Sequence, residues 1–451
     1  MLFDVTAVLV TSATLGPVAE AIVVPASSAV VVVAAAPRDA TPVVTRVDAA
    51  ALPADLSPSP FIGPQPAQTL TRDALERIPT LRGATQLAQL SLLNRDQLHQ
   101  VISDNPQMVP RLLASPPAAT AVSDWWSGSS VAARKALTAE APQLVGSLEG
   151  VPYTARSSAN RVYLAAATGE IEARIQSGVG RAKQSELTTR LHMLEQVREA
   201  LDAATDDGVA RQLIALDPSG DGTAVIVVGD LQTADNVSYL VPGMFYGVDA
   251  RIVPWTTTAA ELQQQQTAWL KRLGRGDETA AVVSWIGYAT PTLVNVAAMD
   301  NARAGQKALT AALRGLDATR SDHPFVAVLS HSYGTTAAML SLSEDDVEVD
   351  ALAMLGSPGG PVARASDLSV RGGVWVGVAA WDPVGDAGVF GNQPKLASFG
   401  AHKLGVDGAK DPLTGARLSG TLSHNDYFTT GGEAMRNLAL IGIGAGSRVL
   451  G

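Results

Sequence analysis

The chain of 451 residues carries 33 Lys and Arg against 43 Asp and Glu, a formal net charge of −10, so it lacks the basic excess that a phosphate-tracking nucleic-acid surface requires. With 46% hydrophobic and 17% charged residues it can bury a large core, which excludes global disorder, and its length allows about two or three domains. It has no cysteine, which removes disulfides, thiolate metal sites and cysteine nucleophiles while leaving the compartment open.

From Met1 to Ala36 the only charges are Asp4 and Glu20. As a secretory leader this stretch offers a small-residue site at Ala19-Glu20-Ala21 but no basic start. As a weak anchor it is interrupted by Pro17 and Pro25, and its cleanest run, Ala21 to Ala36, is shorter than the roughly 20 residues a bilayer needs. The other reading is a β-rich arm built on its valine runs. Membrane contact is expected through this stretch only, and a cytoplasmic or exported, cell-envelope location depends on whether it acts as a leader. Ala51 to Gln68, with five prolines, reads as a linker, so residues 1–68 form a leader or arm with its linker.

Residues 69–216 are expected to be α-helical. Leu187, Leu191, Leu194, Val197 and Leu201 lay one apolar stripe along a helix, flanked by His192 on the surface and by Met193 as core filler. Pro106-Gln107-Met108-Val109 with Leu112 recurs as Pro142-Gln143-Leu144-Val145 with Leu148, and Val101 matches Leu137. Two copies of a helix-turn unit explain the echo, and two are too few for a solenoid. Trp125-Trp126 reads as the core of a helical packing site. This helical region is expected to cover the mouth of a neighbouring site or to face a protein partner.

After the turn-rich Asp217-Pro218-Ser219-Gly220-Asp221-Gly222 the texture changes. Strand-length apolar runs at Thr223 to Val228, Val237 to Val241, Ala280 to Trp285, Phe325 to Leu329, Ala351 to Leu355, Val374 to Ala380 and, more poorly, Lys395 to Phe399 alternate with helix candidates at Ala259 to Leu273, Ala302 to Leu316 and Thr335 to Leu342. Near-continuous apolar strands separated by helices predict an α/β domain over 217–451, its sheet mostly parallel and covered on both faces. Asp217 to Gly222 lacks the spacing and terminal Glu of a calcium loop. Gly356-Ser357-Pro358-Gly359-Gly360 lacks the spacing and Lys of a phosphate loop and reads as a turn. No cofactor or metal site is called for.

The strand ending at Leu329 runs into Ser330-His331-Ser332-Tyr333-Gly334 and then a helix. A serine among small residues at such a turn is a nucleophile elbow, which pushes the Ser332 hydroxyl out over the sheet. Ser330 stands where the pattern has glycine. His331 is expected to be structural, pointing away from the reaction. An elbow serine needs a base, and the base an acid to fix its tautomer; along this fold the order is Ser, Asp or Glu, His. His424 is preferred to His402 as base, because His402 sits almost on the last strand. Asp382, directly after a strand, is preferred to Asp386. Oxyanion donors are expected from the N–H of Tyr333 and from the N–H of Met244 or Gly243, in the glycine turn after Val237 to Val241.

These motifs resemble a family of actinobacterial α/β-hydrolases long filed as a domain of unknown function. The resemblance runs from about Ala121 to the C-terminus and rests on Trp125-Trp126 with Gly128, Gly150-Val151-Pro152 with Arg156 and Ala159-Asn160-Arg161, Gly229-Asp230-Leu231 with Thr233-Ala234-Asp235-Asn236, Val241-Pro242-Gly243-Met244, Trp285-Ile286-Gly287-Tyr288, His331-Ser332-Tyr333-Gly334, Leu355-Gly356-Ser357-Pro358-Gly359 and His424 with Tyr427. It implies an α/β-hydrolase fold with Ser332 as nucleophile and His424 as base, and says little of substrate. Ser330, and Phe245-Tyr246 where a smaller turn is usual, depart from the pattern. The expected activity is a serine hydrolase acting on a small or lipid-like acyl substrate, an ester in the first instance. A peptidase or amidase with the same triad, or a non-catalytic binding module on the same fold, are the alternatives.

Overall fold

Alternation of buried strand runs with amphipathic helices builds a three-layer α/β structure in the computed structural model, which describes residues 71–203, 208–293 and 295–451. The expectations for residues 1–68 lie outside the described residues. Short helices come first: α1 (Arg72–Arg77), α2 (Gly83–Leu90), α3 (Arg95–Asp104), α4 (Met108–Ala114), α5 (Ala119–Gly128), α6 (Val131–Glu140) and α7 (Pro142–Ser147), followed by the long α8 (Tyr153–Gln176) and α9 (Arg181–Asp202). Then come β1 (Arg211–Asp217), β2 (Thr223–Val228), β3 (Asn236–Val241), α10 (Val248–Arg272), β4 (Ala280–Ile286), α11 (Asp300–Thr319), β5 (Phe325–His331), α12 (Tyr333–Ser341), β6 (Val349–Leu355), β7 (Val370–Gly377), α13 (Pro383–Ala387), β8 (His402–Lys403) and α14 (Glu433–Ile441). Among the described residues, no helix is long and apolar enough to cross a membrane.

The repeated sequence unit is a repeated structural one. α3 with α4 and α6 with α7 are two helix-turn-helix copies that pack on each other, and the equivalent Val101 and Leu137 are both buried. Trp125 and Trp126 meet edge to face, ring centroids 5.8 Å apart, inside a core shared with Leu87, Leu98 and Leu144. Each such fully buried aliphatic side chain contributes about 1.5–3 kcal/mol. The stripe on α9 buries Leu187, Leu194, Val197 and Leu201, with Met193 buried beside them as core filler. α8 and α9 face the sheet, sharing a core with β1, β2 and α10, so they cover the sheet rather than stand apart from it. α5 packs on α11, and Ala118–Ala119–Thr120 borders a cavity with His323, Pro324 and Val347 at the N-terminal ends of β5 and β6. That is the end of the strands opposite Ser332, so this helix does not cover the mouth above the serine.

The sheet has the order β1-β2-β4-β3-β5-β6-β7-β8, with β1 and β2 antiparallel to their neighbours and parallel pairing from β4 to β8. β1 lies within the stretch that the sequence assigns to helices. Asp217 to Gly222 is the tight turn joining β1 to β2, with the Ser219 N–H donating to Asp217 Oδ1 at 2.9 Å. Lys395 to Phe399 is not a strand: it ends in a single 3₁₀ turn, and the last strand is the two-residue β8. Connections from β3 lead towards β4 and those from β5 towards β6, so the crevice between the C-terminal ends of β3 and β5 is a topological switch point, where ligands of open α/β sheets bind. Register brings the loops together there: Val241 pairs with Ser330, His331 with Leu355, and Leu355 with Gly377. Pro242, Ser332, Gly356 and Val378 therefore leave the sheet side by side.

Candidate active site

β5 ends at His331 and is followed by Ser332, whose φ of 54° and ψ of −132° are strained for a residue with a side chain. The neighbourhood holds it there. The Ser332 N–H donates to Leu355 O at 2.9 Å, and its carbonyl accepts from the Thr335 N–H at 2.9 Å and the Thr335 hydroxyl at 2.7 Å. Ser330 fits where glycine is usual because its hydroxyl donates to Ala353 O on β6 at 2.9 Å.

The Ser332 hydroxyl lies 2.8 Å from His424 Nε2, and His424 Nδ1 lies 2.9 Å from both Asp382 oxygens. With a carboxylate facing Nδ1, the proton sits on Nδ1 and Nε2 is left to accept from serine. Asp382 follows β7 and caps α13, where Oδ1 accepts from the Val384 and Gly385 N–H groups at 3.0 and 3.2 Å. Oδ2 accepts from the Tyr427 hydroxyl at 2.6 Å, and that hydroxyl in turn accepts from the Ala379 N–H at 2.9 Å. Burial alone would raise the Asp382 carboxyl, but His424, Tyr427 and the Gly385 amide favour its charged form, and it ends below the usual carboxylate range. The carboxylate also raises the Tyr427 hydroxyl, adding to the effect of burial.

His402 and Asp386 are not part of this arrangement. His402 is exposed on β8, paired with Trp375 in the sheet. Asp386 forms an ion pair with Lys395. Gly356, with φ of 54°, explains the closeness of the acid and the imidazole to the sheet: a Cβ there would stand 2.5 Å from Asp382 Oδ2 and 2.9 Å from His424 Nδ1.

On the other side of Ser332 comes the turn after β3. A Cβ on Gly243 would fall 2.5 Å from Ser332 Cβ and 3.0 Å from Oγ, so backbone lies directly against the serine. Tyr288 donates its hydroxyl to Pro242 O at 2.9 Å, the Phe245 N–H donates to Pro291 O at 3.0 Å, and the Tyr246 N–H to Thr290 Oγ1 at 3.0 Å. The amides of Met244 and Tyr333 are taken by no acceptor among the described residues. Phe245 adopts a left-handed φ of 62°, and Tyr246 turns its ring onto Trp255 of α10, centroids 4.8 Å apart. Trp255 meets Phe428 at 5.1 Å, so Tyr246 ties this turn, through Trp255, to the histidine loop. Gly243→Ala is expected to reduce turnover about 10²–10³-fold by prising this turn off the serine, with thermal unfolding largely retained; steady-state kinetics beside a melting curve checks it.

Thr335 is legible in the sequence only as the start of a helix, and nothing there says what it or His331 touches. Tyr288 and Tyr427 were visible only as members of motifs, with no pattern to say what they touch.

Residues 217–391 match a family described as an alpha/beta hydrolase. The chain has the α/β-hydrolase fold. Two uncharacterized proteins of Mycobacterium tuberculosis, from strains CDC 1551 and H37Rv, are each 28% identical over 368 residues, covering 71% of this chain and 55% of each relative. The chain thus spans about half the length of the curated relatives it matches. Among solved structures, this chain is similar to the esterase LipW of Mycobacterium marinum (15% identity, TM-score 0.34, covering 59% of this chain and 90% of that one). It is also similar to a hyperthermophilic esterase of Pyrobaculum calidifontis (13%, 0.35, 56% and 91%).

Proposed function

We propose that the protein is a serine hydrolase that cleaves carboxylic esters through an acyl-enzyme. The observation that carries this reading is the unbroken hydrogen-bond path from the Ser332 hydroxyl through the His424 ring to the Asp382 carboxylate. Ser332 Oγ attacks the acyl carbon while its proton passes to His424 Nε2, and the carbonyl electrons move onto oxygen. The N–H groups of Tyr333 and of Met244, or Gly243 beside it, receive that oxyanion. Collapse expels the alcohol, which takes the proton back from His424. Water then attacks the acyl-serine with His424 again as base, releasing the acid and restoring Ser332.

An apolar acyl group is supported by two exposed apolar side chains next to the candidate triad in sequence: Trp381, 80% exposed, precedes Asp382, and Leu422, 74% exposed, lies two residues before His424. Hydrolysis of p-nitrophenyl esters of graded chain length, beside peptide p-nitroanilides, tests the reading. The expected result is ester turnover that rises from acetyl to medium-length acyl chains, about tenfold or more in kcat/KM, with no comparable amide cleavage. Amide cleavage at the ester rate would overturn the choice of ester.

A further inference from the structure

His331, the residue before the serine, is spent on no step of that chemistry, yet it is 2% exposed and makes one directed contact: Nε2 lies 2.7 Å from the backbone carbonyl oxygen of His424. A carbonyl only accepts, so Nε2 carries the proton and donates it. Nδ1 is buried with no partner among the described residues, so this single bond fixes the tautomer. The ring lies against the His424 ring at 4.7 Å and 38°, and against Tyr427 and Phe428 at 5.8 Å each. Burial, together with the neighbouring His424, pushes the imidazole down to about 3, so it is neutral at any working pH and places no charge beside the imidazolium that forms during acyl transfer.

The His424 ring is also held by Asp382 through Nδ1, and the loop by the Thr421 N–H donating to Val406 O at 2.7 Å. Ser423 donates its hydroxyl to Asp426 at 2.8 Å, and the Asp426 N–H donates back to Ser423 O at 3.2 Å, both within the loop. The Tyr427 hydroxyl secures the acid and not the imidazole. The His331 bond is the one that joins the His424 peptide to the end of β5, the strand that also carries Ser332.

We propose that His331 is a positioning residue: through its Nε2–H bond to the His424 carbonyl, it sets the base over the serine from the same strand end that presents the nucleophile. This rests on the serine-hydrolase reading above. A displacement of about 1 Å in a reacting group costs roughly 10²-fold in rate, which sets the size of the effect.

The full chain with His331→Phe keeps ring contacts but loses the donor, whereas His331→Gln keeps an Nε2–H donor at similar reach and loses the ring. On a p-nitrophenyl ester, His331→Phe is expected to lower kcat about 10–100-fold with KM within about threefold, and His331→Gln to stay within about fivefold of the parent in kcat. If the phenylalanine chain fails to fold by its melting curve, His331→Leu takes its place. A purely structural role would make both variants lose rate alongside melting temperature, and that outcome, or full activity without the donor, overturns the proposal. If the parent chain neither turns over the ester nor reacts with a fluorophosphonate, the hydrolase reading itself fails; if the parent reacts and only the pattern among the His331 variants differs, the failure is that of His331 alone.

Discussion

Ser332→Ala is expected to lower ester hydrolysis about 10⁴–10⁶-fold, leaving only what the oxyanion donors and substrate binding supply. Alanine carries the same Cβ into the same strained backbone, and the amide and carbonyl bonds that hold residue 332 in place do not involve the hydroxyl. Only the bond to His424 is lost, at about 1 kcal/mol, so the melting temperature should remain near that of the parent. Loss of activity together with loss of folding would mean that the serine hydroxyl is structural. Kinetics and calorimetry on the same preparation separate the two.

Asp382→Asn is expected to cost about 10⁴-fold in kcat. The two carboxylate oxygens face the Nδ1–H of His424. An amide in their place can turn its NH₂ towards that nitrogen, which moves the imidazole proton to Nε2 and leaves nothing there to take the serine proton. The same substitution changes stability against pH. Because the folded carboxyl of Asp382 lies below its ordinary value, the bonds to its charged form stabilise the fold above about pH 4 and are lost as pH falls through the folded pKa. Melting temperatures taken between pH 6 and 3 should therefore fall less steeply for Asp382→Asn than for the parent in that acid window. A parallel fall in both would show that Asp382 contributes nothing to the pH dependence.

The parts of the fold that sequence could disclose were those whose burial leaves a continuous apolar run. β2, β3, β4, β5 and β6 are buried along nearly their whole length, and each was legible as such. β1 mixes buried and half-buried positions behind a long helix and, among the described residues, is an edge strand paired with β2, so its residues read as a continuation of the helices. β7 begins at Val370, earlier than expected, because Gly372 and Gly373 break the apolar run near its start. α10 begins eleven residues before the expected Ala259, since Pro254, which cannot donate to a helical hydrogen bond, lies inside it and is exposed.

The site divides in the same way. Of the candidate triad, Ser332 is marked by the strand-turn-helix pattern at the end of β5 and Asp382 by following a strand, whereas His424 is reached through chain order, which leaves His402 as its rival, and through its polar loop ahead of the last helix. The partners that hold them could not be picked out. Tyr427 and Asp382 are separated by 45 residues, and His331 and the carbonyl of His424 by 93; each bond depends on which loops the register of β5, β6 and β7 brings side by side. The helical region was legible in its elements and its internal repeat, but not in its placement: α8 and α9 bury their apolar faces on the sheet, and an amphipathic stripe says that a face is covered without saying by what.

The most direct test of the central claim is the mass of the purified chain after exposure to a fluorophosphonate ester, followed by peptide mapping. The hydroxyl that stands within hydrogen-bond reach of His424 should displace fluoride and retain the phosphonyl group, so the parent should gain one adduct, located on Ser332, that is absent from Ser332→Ala and slow to form in His424→Ala. No adduct on the folded parent, or an adduct that persists at another residue in Ser332→Ala, would contradict the account.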